Sequence, residues 1–148
     1  MTYLSRQIAF AATYVTIAGG LWVASQWWEK SLATNLSAPV ISPGGCYRVE
    51  TLKPFWALPS LLQPVQDPNE EGSTKWFQLW GYPGFYKLYD HRSGKLIGMS
   101  SVYDLQYTSG PLYWGSKSFP EVSAGAIYIG PNVPDCIGDR PMPRNSAN

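Results

Sequence analysis

Hydrophobic and polar positions follow two regimes along this chain. From Ile8 to Trp28 the sequence IAFAATYVTIAGGLWVASQWW runs twenty-one residues without a formal charge. A helix rises ~1.5 Å per residue and a bilayer core is ~30 Å thick, so about twenty apolar residues can cross it. The pattern predicts a membrane-spanning helix. Trp22, Trp27 and Trp28 gather at its far end, where indole rings favour the membrane–water interface. Arg6 and the α-amino group precede the span, while Glu29 and Lys30 cancel after it; the positive-inside bias puts the N-terminus in the cytoplasm. Two alternatives stay open. Val23-Ala24-Ser25 offers small or tolerated residues at the positions a signal peptidase inspects, and a buried core helix is the other reading, though it would be expected to show a polar stripe or partners all round. Gly19-Gly20 would let a second helix approach closely.

Beyond the span, residues 29–45 read as a linker ending in proline and glycine. The triplet Asn35-Leu36-Ser37 within it matches a glycosylation acceptor, a pattern common by chance. From Cys46 the pattern acquires a period of two. Tyr47, Val49 and Thr51 alternate with Arg48 and Glu50, which predicts a strand. Lys75 to Trp80 alternates in the same way. Phe85–Asp90 and Lys95–Ser100 flank His91-Arg92-Ser93-Gly94, and Gly94 supplies the positive φ that a hairpin loop needs. Val102–Tyr107 reads as more sheet or a short turn, and Pro111–Trp114 and Ala126–Ile129 as further strands. Pro54, Pro59 and Pro64 forbid a regular strand between them, so Phe55, Trp56, Leu58, Leu61 and Leu62 are expected to fill the core from a covering loop or short helix. The prediction is a mainly β fold: a small antiparallel sheet or sandwich-like domain with one N-terminal transmembrane helix. Residues 1–28 form the anchor or an uncleaved signal, 29–45 the linker, 46–137 the β-rich domain and 138–148 a disordered tail.

Composition narrows the function more than the fold. Eleven Lys+Arg against ten Asp+Glu leave a net charge of +1 without a basic block, which argues against nucleic acid. Cys46 and Cys136 are the two cysteines, bracketing the β-rich part. If this part is exported, a disulfide between them is the natural reading; two unrelated buried thiols are the alternative. A single histidine, His91, sits in the predicted turn and leaves no zinc-like ligand set. No nucleophile elbow, phosphate loop or dinucleotide fingerprint occurs. Glu70-Glu71 and the pair Asp90 and Asp104 are carboxylates that could do acid–base work, yet Glu70 and Glu71 fall in a loop where such groups are normally just hydrated. No catalytic residue, metal or cofactor is expected.

Binding fits the composition better. Sixteen Trp, Tyr and Phe lie between Cys46 and Ile129, and a domain so small does not bury every ring. Tyr103, Tyr107, Tyr113 and Trp114, set among Ser, Thr and Gly, are candidate partner contacts, as are Asp67, Glu70 and Glu71 for a basic partner. For any single ring, core packing is the competing explanation.

Cys46-Tyr47-Arg48-Val49-Glu50, followed by Lys53-Pro54-Phe55-Trp56-Ala57-Leu58-Pro59-Ser60, resembles a motif of small uncharacterised exported or membrane-anchored proteins of enterobacteria and their relatives. The resemblance covers about residues 8 to 115. Such proteins are often encoded beside contact-dependent or type VI secretion toxins. It therefore implies a single-pass protein of the bacterial inner membrane, with its C-terminal domain in the periplasm, serving as an immunity protein that binds a cognate toxin. It brings no catalytic or binding residues with it. A structural accessory subunit of an envelope complex is the alternative.

Overall fold

The computed structural model describes residues 2–70 and 72–142, with side chains from Arg6 onward. A single helix, α1 (Thr2–Ser31), precedes a mainly β domain. Its strands are β1 (Thr34–Asn35), β2 (Val40–Ile41), β3 (Tyr47–Lys53), β4 (Val65–Gln66), β5 (Thr74–Lys75), β6 (Pro83–Asp90) and β7 (Leu96–Met99). They continue as β8 (Tyr103–Asp104), β9 (Leu112–Tyr113), β10 (Glu121–Ala124), β11 (Ile127–Pro131), β12 (Cys136–Ile137) and β13 (Arg140–Pro141), with a one-turn helix α2 (Leu105–Thr108) after β8. Residues Arg6–Ser31 are long and apolar enough to cross a membrane, and their apolar side chains are exposed.

The principal sheet has the order β1-β3-β6-β7, with β2 also paired to β3 and β8 to β6. Its spine is the antiparallel pair β3–β6, in register from Tyr47 opposite Asp90 to Leu52 opposite Phe85. The alternation read from sequence holds over the first half of β3, where Tyr47 and Val49 are buried, and breaks at its end, where Leu52 is buried and Thr51 only half-buried. Arg48 and Glu50 lie on the other face, 3.2 Å apart, with the guanidinium 4.6 Å from the Tyr89 ring centre. The β6–β7 hairpin forms as expected, with Gly94 at φ 73°. A second antiparallel sheet, β11-β10-β9, packs Val122, Ala124, Ile127 and Ile129 into the same core as Val49, Tyr86 and Leu88. The two sheets meet backbone to backbone at Gly98 and Gly130. A Cβ on Gly98 would stand 2.4 Å from the Ile129 carbonyl oxygen, so only glycine permits that approach.

The Cys46–Cys136 disulfide closes the domain, spanning 90 residues with Cα atoms 6.4 Å apart. Both cysteines are fully buried. Beside the bridge, the Tyr47 hydroxyl donates to the Cys136 carbonyl and accepts the Val133 N–H at 3.0 Å. The Asp139 carboxylate accepts from the Ser42 hydroxyl at 2.5 Å and from the N–H groups of Gly44 and Cys46. The segment entering the domain and the segment leaving it are thus knotted at one corner.

Four sequence expectations differ from the structure. The 29–45 stretch is no free linker: helix continues to Ser31, and β1 and β2 then pair with β3. The tail expected from 138 instead returns through β13, paired with β12; residues 143–148 lie outside the described residues. Lys75 to Trp80 is no strand beyond Lys75, and the backbone turns left-handed at Phe77, φ 58°. Phe55, Leu58, Leu61 and Leu62 do not fill the core; each is 43–45% exposed. Three prolines break the amphipathic period that would have aimed them inward.

Candidate binding surface

Asp104 organises the surface around α2 and the loop before β6. Its buried carboxylate accepts from the backbone N–H of Gly81 at 2.7 Å, Tyr82 at 2.8 Å and Gln106 at 3.2 Å. The last of these makes it the N-cap of α2. Its carbonyl accepts from the Thr108 hydroxyl at 2.8 Å. One side chain therefore fixes the start of α2 and the loop leading into β6, and so sets where Tyr103 and Tyr107 stand. Sequence reasoning weighed Asp104 only as an acid. The usable signal was an Asp just ahead of the short run Leu-Gln-Tyr-Thr, which is a helix-start pattern.

The β4–β5 hairpin folds against this unit. Asp67 Oδ1 accepts from the Asn69 N–H at 2.9 Å, a side-chain turn that opens the loop. The Ser73 hydroxyl donates to Glu70 Oε2 at 2.7 Å at its far side. Asp67, Glu70 and Tyr103 line one cleft of about 230 Å³. Asp67 also borders a second cleft of about 140 Å³ with Lys75, Leu79 and Tyr107. Tyr107 is 78% exposed, whereas Tyr103 packs partly against the core. Four of the seven candidate contacts thus share one surface, which carries acid at one end and a phenol at the other. Glu71 lies outside the described residues.

The remaining two candidates stand elsewhere. Tyr113, half exposed, is on β9 in the second sheet. Trp114 packs on the core, its ring stacked on Tyr47 with centroids 6.3 Å apart, and its carbonyl accepts from the Asn132 amide at 3.0 Å. Its structural surroundings account for it without a partner.

The titratable groups weighed for chemistry are dispersed. His91 is exposed in the β6–β7 turn, and its backbone N–H donates to the Cys46 carbonyl at 2.8 Å. Arg92 bridges Asp90 at 3.3 Å and Asp135 at 2.8 Å. Burial pushes the Asp90 carboxyl upward, but hydrogen bonds from Arg92 and Ser93 outweigh it and hold the group below the usual carboxylate range. No protein-family model, curated protein or solved structure matches the chain.

Proposed function

We propose that the chain is a membrane-anchored binding protein: α1 holds it in a bacterial inner membrane, N-terminus in the cytoplasm, while the β domain faces the periplasm and captures a protein partner. The partner is a cognate secreted toxin of the type VI kind, and the chain acts as its immunity protein. The observation that carries this reading is a buried disulfide in a domain that directly follows a span-length exposed helix. Disulfides persist in oxidising compartments, so the bridge and the span favour one topology. The surface around Asp67, Glu70, Tyr103 and Tyr107 offers a partner both charge and aromatic area. The resemblance of the CYRVE…KPFWALPS run supplies the toxin class.

Co-expression of the full chain with a periplasm-directed toxin encoded beside it should restore growth, and the two should co-purify in detergent. Absence of binding to any neighbouring gene product would overturn the proposal. The second reading, an accessory subunit of an envelope complex, would use Gly19 and Gly20, small residues at which another helix can approach closely. Replacing α1 with an unrelated span separates the two: an accessory subunit loses function, an immunity protein keeps it.

A further inference from the structure

One group of apolar side chains that the core does not take lies beside the end of α1. Two loops carry them, 54–64 and 76–80, and neither contains a charged residue. The first presents Phe55, Leu58, Leu61 and Leu62, and its one short 3₁₀ turn, Ser60–Leu62, buries none of its residues. The second presents Trp76, Phe77 and Leu79 at 57%, 68% and 86% exposure. Phe77 sits at φ 58°, a backbone region that aromatic residues rarely occupy, so this loop keeps its shape against an intrinsic preference. Contiguous exposed apolar surface of this kind marks an interaction site.

The position of the loops selects the occupant. The domain is latched to the last turns of α1 by the Phe55 N–H, which donates to the Glu29 carbonyl at 2.9 Å, and by Lys30 Nζ, which donates to the Ser100 carbonyl at 2.9 Å. A groove of about 380 Å³ runs between Trp22 and Gln26 of the helix and Leu58, Leu62 and Trp76 of the loops. The loops therefore reach back along the helix as far as Trp22. Seven residues separate Trp22 from Glu29, or ~10 Å at ~1.5 Å per residue. Helix positions 22–28 carry the tryptophans that mark the membrane–water boundary, and proteins that lie on a bilayer sink apolar groups ~5–10 Å into that layer. Lys53, exposed, stands immediately before the first loop; Lys75, before the second, borders the cleft that holds Asp67 and Tyr107, as Leu79 does, so the apolar loops adjoin the candidate partner surface.

We propose that loops 54–64 and 76–80 form a second membrane contact, a foot that enters the headgroup–acyl boundary of the bilayer that α1 crosses. The occupant of this surface is lipid, and the proposal rests on the membrane-spanning role of α1.

Nitroxide labels on single introduced cysteines test it, with the full chain reconstituted in phosphatidylethanolamine/phosphatidylglycerol vesicles. L79C and L61C report on the foot, I17C on the span and K95C on the β6–β7 turn. Collision with oxygen, which partitions into lipid, is compared with collision with a water-soluble nickel chelate. The expected oxygen-to-nickel ratio at L79C and L61C is several-fold above that at K95C and approaches that at I17C. A ratio equal to that of K95C overturns the foot and leaves the span intact. Protection from both reagents also overturns it, because protein rather than lipid then covers the loops. A water-like value at I17C removes the span, and the foot with it. Leu79 and Leu61 contribute little buried packing, and mass spectrometry of the intact disulfide verifies that each variant has folded.

Discussion

The hydroxyl of Tyr47 and the carbonyl of Cys136, separated by 89 residues in sequence, are joined by a hydrogen bond in which the phenol donates. The same oxygen accepts from Val133, so one fully buried atom ties the first long strand to the loop that carries the second cysteine. Tyr47→Phe leaves the ring stacked on Trp114 and removes only that oxygen, stranding a buried carbonyl and a half-buried N–H. Each stranded group costs ~1–3 kcal/mol. Urea unfolding of the detergent-solubilised protein should show a loss of about 2–4 kcal/mol; a loss below about 0.5 kcal/mol would mean that water replaces the hydroxyl at both partners.

Reduction of the disulfide should be costlier still. Loop closure over 90 residues contributes about 4–5 kcal/mol in the chain-entropy model. The double variant Cys46→Ala/Cys136→Ala should unfold at clearly lower denaturant than wild type. If its midpoint is unchanged, the Tyr47 and Asp139 contacts alone hold the corner.

Asp104→Asn keeps the shape but exchanges one accepting oxygen for an N–H donor. That amide then faces the N–H of Gly81 or Tyr82, and the cap on α2 weakens. The expected cost is about 2–3 kcal/mol, with faster hydrogen exchange of the Gly81, Tyr82 and Gln106 amides as the local signature. Wild-type exchange rates at all three would refute the assignment.

Alkaline pH should weaken the fold. Burial raises the Tyr86 phenol above its ordinary value, which means that the folded state holds this proton more tightly than the unfolded chain. The stabilisation is complete below pH ~10 and is lost as pH climbs through the folded pKa. Tyr86→Phe should therefore flatten the decline above pH 10 in a denaturation series. A remaining slope is expected from Tyr47 and Tyr89, whose phenols burial also raises.

The partner surface gives a contrast between paired variants. Under the proposed function, Tyr107→Ala and Asp67→Lys should each weaken capture of the proposed partner at least about tenfold, the loss of ~1.4 kcal/mol that separates a contact from a bystander. Tyr113→Ala, on a different sheet, should change it little. Equal effects from all three would place the interface elsewhere.

What the sequence revealed divides along local and non-local lines. The β6–β7 hairpin was legible because its signal is confined to neighbours: two apolar runs and a glycine where the backbone must turn. The long apolar helix and the cysteine pair were legible for similar reasons of length and spacing. β1 and β2 were not, because two-residue strands have no period of their own and exist only through β3. Trp76–Trp80 misled in the opposite way. It alternates like a strand, but no neighbouring strand pairs with it, and Phe77 turns the chain. β10 was missed although Val122 and Ala124 alternate with Glu121 and Ser123, since four residues are too few to distinguish from a loop. In the binding surface, the acidic and aromatic candidates were visible as composition. That Asp67, Glu70, Tyr103 and Tyr107 converge while Tyr113 and Trp114 do not depends on pairing between distant segments, organised by the Asp104 carboxylate.

The latch between Phe55 and Glu29 has a mechanical consequence. With only Leu32 and Ala33 between the helix and β1, the domain has no stalk on which to swivel, so a bilayer crossed by α1, as proposed above, would hold it at a fixed height and tilt. A partner would have to come down to the membrane surface and meet the domain in one orientation. Force applied to the domain would pass straight into the helix, and reach would be exchanged for aim.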